Sequence, residues 1–236
     1  MRIDSSPALG FVPQMRLSLA LFALASPATA AVPPALDAAL KTFQADAPRG
    51  WSYAQTTIAE GKSTVERHDA TKPEFERWSL VQKDGRAPTV DELKDYSDAR
   101  SRRSRTGTAP KLVDQLLLET IETVAETPKR ATYRFRVRPG ESRDQTAAFL
   151  RATVVLHKPT GTVESFVLAS VEPFAPTFGV KISELRTLMT YSLPGGEAPS
   201  LPQKVVTRVR GTAFWLKSLD AEMTVTFSDY AKAGRP

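Results

Sequence analysis

The side chains in this sequence that could do acid–base or metal chemistry are few and scattered. Histidine occurs only at His68 and His157, and each stands in a strand-like stretch among charged or polar neighbours. A zinc site needs three or four converging ligands. Cysteine is absent, and no stretch groups His, Asp and Glu at ligand spacing. There is no G-x-S-x-G elbow, no H-E-x-x-H pair, no phosphate-binding glycine loop and no dinucleotide fingerprint. Scattered carboxylates brought together by the fold would be the one route to a hydrolase. The expectation is a protein with no catalytic residues, metal or cofactor.

The concentrated chemistry is cationic and apolar. Arg100, Arg102, Arg103 and Arg105 crowd one short stretch. Such a run is either a solvated loop after a helix or a contact for an acidic protein partner or an anionic lipid surface. Arg134, Arg136 and Arg138 alternate with Tyr133, Phe135 and Val137, which sets guanidiniums on one face of a strand and apolar groups on the other. Outward charges of this kind also discourage edge-to-edge aggregation.

The strongest element signal among those that must position these groups is the stretch Phe149 to Val171, which predicts one antiparallel hairpin. Lys158, Pro159, Thr160 and Gly161 suit a type I turn, with Pro at its second position and Gly at its fourth. An unbroken register then sets His157 opposite Thr162 and groups Leu150, Ala152, Val154 and Leu156 with Val163, Ser165, Val167 and Ala169. The other face mixes Phe149, Val155, Phe166 and Leu168 with Arg151, Thr153, His157 and Glu164. Two partly apolar faces call for cover on both, or for a ligand on one.

The remaining elements follow from periodicity. Val32 to Ala45 reads as a helix, with Leu36, Leu40 and Phe43 on one stripe. Strands are expected at Trp51 to Glu60 and Ser63 to Asp69 around a Gly61-Lys62 turn, and at Phe75 to Gln82, where Trp78 and Leu80 share a face. Thr89 and Glu92 form a capping box ahead of Val90, Leu93 and Tyr96. A second short helix is expected from Pro110, with Leu112, Val113, Leu116 and Leu117 on its stripe. Strands resume at Glu119 to Glu126 and Ala131 to Arg138, and a proline-rich corner spans Pro173 to Pro176. Val180 to Ser192 is a strand candidate with a helical alternative at Ser183 to Met189. Three closing strands occupy Lys204 to Arg210, Thr212 to Leu219 and Glu222 to Tyr230. About nine to eleven antiparallel strands with few helices make an α+β protein.

With 41% hydrophobic and 25% charged residues in 236, the composition is that of a single soluble domain. Residues 1–30 resemble a secretory signal: Arg16, the apolar run Leu17 to Ala25, the break at Pro27 and Ala28-Thr29-Ala30 as the cleavage motif. Met15 is an alternative start to Met1. The apolar run is about half the ~20 residues that a spanning helix requires, so no transmembrane segment is expected in the mature chain. Without cysteine there is neither a disulfide framework nor a lipid attachment site. The net charge of +6 falls to +5 on removal of residues 1–30, which favours acidic or anionic partners. Outside the cytoplasm nucleic acid is not an expected one. A periplasmic monomer, residues 31–236, is the expectation.

A cleaved leader, an N-terminal helix, a meander of long strands, helices inserted at Thr89 to Leu118, and a closing run of LPQKVVTRV, GTAFWLKS and AEMTVTFSDY resemble the bacterial lipoprotein-localisation superfamily, the LolA/LolB-like fold. The ending Phe227-Ser228-Asp229-Tyr230 resembles its last strand. The resemblance implies a strongly curved antiparallel sheet, an incomplete β-barrel, whose concave face is covered by helices and receives acyl chains. On that footing the groove candidates are Trp78, Leu80, Tyr133, Phe135, Leu150, Val154, Leu156 and Val167. Arg100, Arg102, Arg103 and Arg105 are the candidate partner or anionic-surface contacts. The expected function is non-catalytic binding of hydrophobic ligands, lipid or lipoprotein acyl chains, in envelope trafficking. The alternatives are an envelope interaction module with a solid core and basic contact surfaces, and an unrecognised hydrolase.

Overall fold

A computed structural model describes residues 31–103, 111–140, 146–214 and 216–234. The leader expected at residues 1–30 lies outside the described residues. In chain order the elements are α1 (Pro34–Thr42), β1 (Trp51–Ala59), β2 (Lys62–His68), β3 (Trp78–Lys83), α2 (Val90–Arg103), α3 (Leu112–Gln115), β4 (Leu116–Glu126), β5 (Arg130–Val137), β6 (Leu150–His157), β7 (Thr162–Ser170), β8 (Phe174–Thr177), β9 (Val180–Tyr191), β10 (Pro202–Ala213), β11 (Lys217–Ser218) and β12 (Ala221–Lys232). All twelve strands belong to one sheet, ordered β3-β2-β1-β12-β10-β9-β7-β6-β5-β4, with β8 and β11 paired to β9 and β10 beside this path. Every pairing is antiparallel. The sheet is not closed, and β3 and β4 are its two edges. No helix among the described residues is long and apolar enough to cross a membrane.

Local chemistry accounts for most of these elements. Pro34 sits at the start of α1, where its missing N–H costs nothing, and Leu36, Ala39 and Leu40 form the buried stripe. The β1–β2 hairpin turns on Glu60 and Gly61, both with positive φ, one residue earlier than expected and in the twist that tight hairpins favour. In the β6–β7 hairpin the Gly161 N–H donates to the His157 carbonyl at 2.9 Å, and Gly161 has φ 64°.

One face can be followed across the whole sheet through the register. Leu80 stands beside Glu66, Glu66 beside Gln55, and Gln55 beside Phe227. Two residues along β12, Val225 stands beside Val205, Val205 beside Met189, Met189 beside Phe166, Phe166 beside Val154, and Val154 beside Tyr133. We call this the shared face. Its β4–β7 end holds the main core, in which α1 and α3 pack on β4, β5, β6 and β7.

The structure corrects several sequence expectations. A bulge between Val155 and Leu156 pairs Leu156 with Val163 but Val155 with Ser165. Glu164 is thus the extra residue, and every β7 side chain beyond it changes face. The shift turns Phe166 and Leu168, rather than the smaller Ser165, Val167 and Ala169, toward the core, and leaves Glu164 free to pair with Arg130 at 2.6 Å. The second inserted helix is a single turn, and Leu116 and Leu117 already belong to β4, paired with Val137 and Arg136. The proline-rich corner contains β8. Val180–Tyr191 is strand throughout, since β7 and β10 pair with it on both sides.

Candidate functional site

Seven of the eight expected groove residues divide between the two ends of the shared face, and the eighth, Val167, lies on the reverse face. Tyr133, Phe135, Leu150, Val154 and Leu156 lie at the β4–β7 end, where Phe135 is 1% exposed, Val154 0% and Leu156 2%. Tyr133, Phe135, Val154 and Leu156 share one buried cluster with Leu36, Ala39 and Leu40 of α1 and with Leu112, Leu116 and Ile121. At this end the strand side chains are buried against other apolar side chains, those of α1 among them. Val167 pairs with Thr153 and Leu188 on the reverse face, so the bulge removes it from the set.

Trp78 and Leu80 lie at the other end, under α2. They line a cleft of about 490 Å³ together with Phe75, Leu93, Tyr96 and Arg100. A contiguous cleft of about 310 Å³ shares Leu80, Tyr96 and Arg100 and adds Glu66 and Lys83. The Arg100 guanidinium carbon lies 4.0 Å from the Trp78 ring centroid, a cation–π contact. Among the described residues no carboxylate stands within ion-pair distance of Arg100. The structure therefore joins one expected anion contact to two expected apolar contacts. Arg102 and Arg103 occupy the last turn of α2, and Arg105 lies outside the described residues.

Behind the cleft stands an aromatic stack that the sequence reading missed. Tyr53 meets Trp78 edge-to-face at 5.6 Å, stacks on His68 at 5.0 Å and lies 5.5 Å from Tyr230. Tyr230 reaches this face because Asp229, with φ 53°, makes a bulge opposite β1 between the Ala54–Ser228 and Ser52–Ala231 pairs. The spacing of three between Phe227 and Tyr230 was the available signal, since an unbroken strand would put them on opposite faces. Burial, then the charge of Asp46, pushes the Tyr53 hydroxyl up to about 12. Burial also lowers the pKa of His68, partly offset by the hydrogen bond of its Nδ1 with the Trp51 carbonyl at 3.0 Å.

The start of α2 is fixed electrostatically. The Thr89 N–H donates to Glu92 Oε2 at 2.8 Å, and the Glu92 N–H donates to Thr89 Oγ1 at 3.3 Å, as the capping box predicts. Arg86 adds two hydrogen bonds to the Glu92 carboxylate, at 2.9 and 2.7 Å, and Lys83 lies 3.0 Å away. These partners hold the Glu92 carboxyl far below the usual carboxylate range, with the Arg86 hydrogen bonds the largest cause.

Two further clefts lie elsewhere. One, of about 300 Å³, is bordered by Phe43, Val163 and Tyr191, and the other, of about 330 Å³, by Phe174, Gly179, Lys181 and Thr212. Among the described residues no three His, Asp or Glu are grouped to hold a metal ion. No family model, curated protein or solved structure matches the chain. The cleft under α2 sets Phe75, Trp78, Leu80 and Leu93, able to shed water around a hydrocarbon chain, beside Arg100, with Glu74, Ser79, Ser97 and Ser101 as its polar lining.

Proposed function

We propose that the protein binds ligands with an apolar, acyl-type chain and an anionic end, seated in the cleft between α2 and β3. The observation that carries this reading is the convergence of Trp78, Leu80, Leu93 and Arg100 on one cleft. Hydrocarbon gains about 25 cal/mol for each Å² it removes from water there, and Arg100 offers fork-shaped donors to a carboxylate or phosphate. The sharpest form of the proposal is a non-catalytic periplasmic acyl carrier, similar to the lipoprotein-localisation superfamily, made as residues 31–236 after loss of its leader. Its finer fold statement is an incomplete barrel whose concave side is the shared face. The open strand order, and the placement of α1 and α2 against the same face, support that statement.

The interaction-module alternative keeps one observation in its favour, the filled core under α1. Native mass spectrometry of protein isolated from its envelope separates the two, together with uptake of anilinonaphthalene sulfonate, a probe that is both apolar and anionic. The carrier reading expects bound acyl species, and probe affinity that falls about tenfold in Trp78→Ala. Absence of acyl species together with no probe uptake would leave the interaction module standing.

A further inference from the structure

On the reverse face of the sheet the register lines up four arginines. Arg136 stands opposite Arg151, Arg151 opposite Ala169, Ala169 opposite Arg186, and Arg186 opposite Arg208. They lie away from the core, since Arg151 alternates with the buried Leu150 and Ala152. At ~4.8 Å between neighbouring strands, the row crosses five strands and extends roughly 19 Å.

This arrangement costs stability, because like charges directly opposite each other in a sheet repel. Only Arg208 is neutralised, by Glu222 at 2.9 Å. Arg151 donates to the carbonyls of Ala148 and Leu150, and among the described residues no carboxylate pairs with Arg136, Arg151 or Arg186. Two residues along the strands runs a parallel row of half-buried Val167, Leu188 and Val206.

We infer that this reverse face docks on an anionic lipid surface. Guanidiniums pair bidentately with phosphates, and basic side chains gain from a negative bilayer surface. The neighbouring apolar row suits contact at the boundary between headgroups and chains. A peptide partner is disfavoured because its anchoring side chains need pockets, and none of the four clefts described above is lined by these residues. The inference is independent of what the α2 cleft holds.

The test is co-sedimentation of the full chain with phosphatidylcholine vesicles containing about one third phosphatidylglycerol, beside phosphatidylcholine alone. Binding should require the anionic lipid and weaken with salt. It should fall about fivefold per arginine, hence roughly 25-fold in Arg136→Gln/Arg186→Gln, a pair that removes no internal partner, and roughly 100-fold when Arg151→Gln is added. A melting temperature in the double variant equal to or above that of wild type, as relief of the like-charge pairs predicts, confirms that folding is intact. Wild-type protein that ignores anionic vesicles, or a double variant that binds them as well as wild type, overturns the inference. So does capture on a polyglutamate resin without capture on vesicles, which would identify an acidic polymer as the partner.

Discussion

The two ends of the shared face are built from the same strand chemistry and differ in the helix laid over them. At the β4–β7 end, α1 presents Leu36, Ala39 and Leu40, and the strand side chains beneath are excluded from water. At the β1–β3 end, α2 (VDELKDYSDARSRR) is mostly charged and polar. Its Val90 is 82% exposed, while Phe75 on the connection into β3 is 85% exposed, and two clefts remain between helix and sheet. An apolar helix completes a core, whereas a polar helix leaves the same kind of face unsatisfied. The residues that cover a sheet therefore decide whether it is a core or a site.

The comparison breaks most sharply under substitution in the filled end. Val154→Glu buries a carboxylate with no partner, which costs several kcal/mol and should unfold the protein. Phe135→Ala removes a fully buried ring and should cost about 3–5 kcal/mol. Trp78→Ala, made at a partly exposed position that borders an open cleft, should cost less than Phe135→Ala, because part of the indole already faces water. Urea titrations of the three variants give the order directly. If Trp78→Ala destabilised as much as Phe135→Ala, the α2 end would be core as well and the distinction between the ends would be lost.

Next in size is an effect on binding at nearly constant stability. Leu93 is partly exposed on the wall of the cleft, so Leu93→Glu should leave the melting temperature within a few degrees of wild type. A carboxylate placed against the hydrocarbon should nevertheless lower probe affinity by about tenfold or more. A variant that melts normally and still takes up the probe with wild-type affinity would move the ligand out of this cleft.

The difference in legibility between the two ends has the same physical root. The hairpin turn at Lys158 to Gly161, the α1 stripe and the Thr89–Glu92 box are encoded within a few residues, so periodicity and turn chemistry reveal them. The bulge at Glu164 is not local. It follows from what a one-residue slip buries, Phe166 and Leu168 instead of Val167, and from the pairing of Arg130 with Glu164 across a separation of 34 residues. The same holds for the site. Trp78 and Leu80 declare their common face by alternation, but nothing near them in sequence announces that Arg100 will stack on the indole or that Tyr53 and Tyr230 will stand behind it. Conversely, Phe135 and Val154 look like groove residues until α1 is laid over them, because alternation reports which face a residue occupies and says nothing of what covers that face.

A smaller effect concerns the anchoring of α2. The folded Glu92 carboxyl lies well below its ordinary value of 4.5, chiefly through Arg86 and then the Thr89 N–H and Lys83. A group depressed in this way stabilises the fold above its unfolded pKa, and the contribution disappears as the pH falls through the folded value. Glu92→Gln keeps an acceptor for the cap but removes the charge. It should speed amide exchange in the first turn of α2 and leave exchange in α1 unchanged. Equal protection of α2 in the variant and the wild type would show that the ion pairs do not anchor the helix.

The smallest predicted effect follows His68, which stacks on Tyr53 behind the cleft. Burial lowers its pKa from 6.5, against the opposing hydrogen bond to the Trp51 carbonyl, while Arg77 and Arg100 lower it further. The unfolded chain therefore binds a proton more readily than the folded one in the range just below pH 6.5. The corresponding stability is complete above pH 6.5 and is lost as the pH falls through the folded pKa. Protonation would place a second cation beside the Arg100 guanidinium already lying over Trp78, so acidification should loosen the aromatic stack at the α2 end while the α1 core stays closed. Imidazole resonances followed by NMR, with amide exchange measured at about pH 7.5 and pH 5.5, would show His68 titrating below 6.5 and protection lost in β1–β3 ahead of β5 and β6. A His68 that titrates at or above 6.5, or an even loss of protection across the sheet, would mean that its two ends respond as one unit.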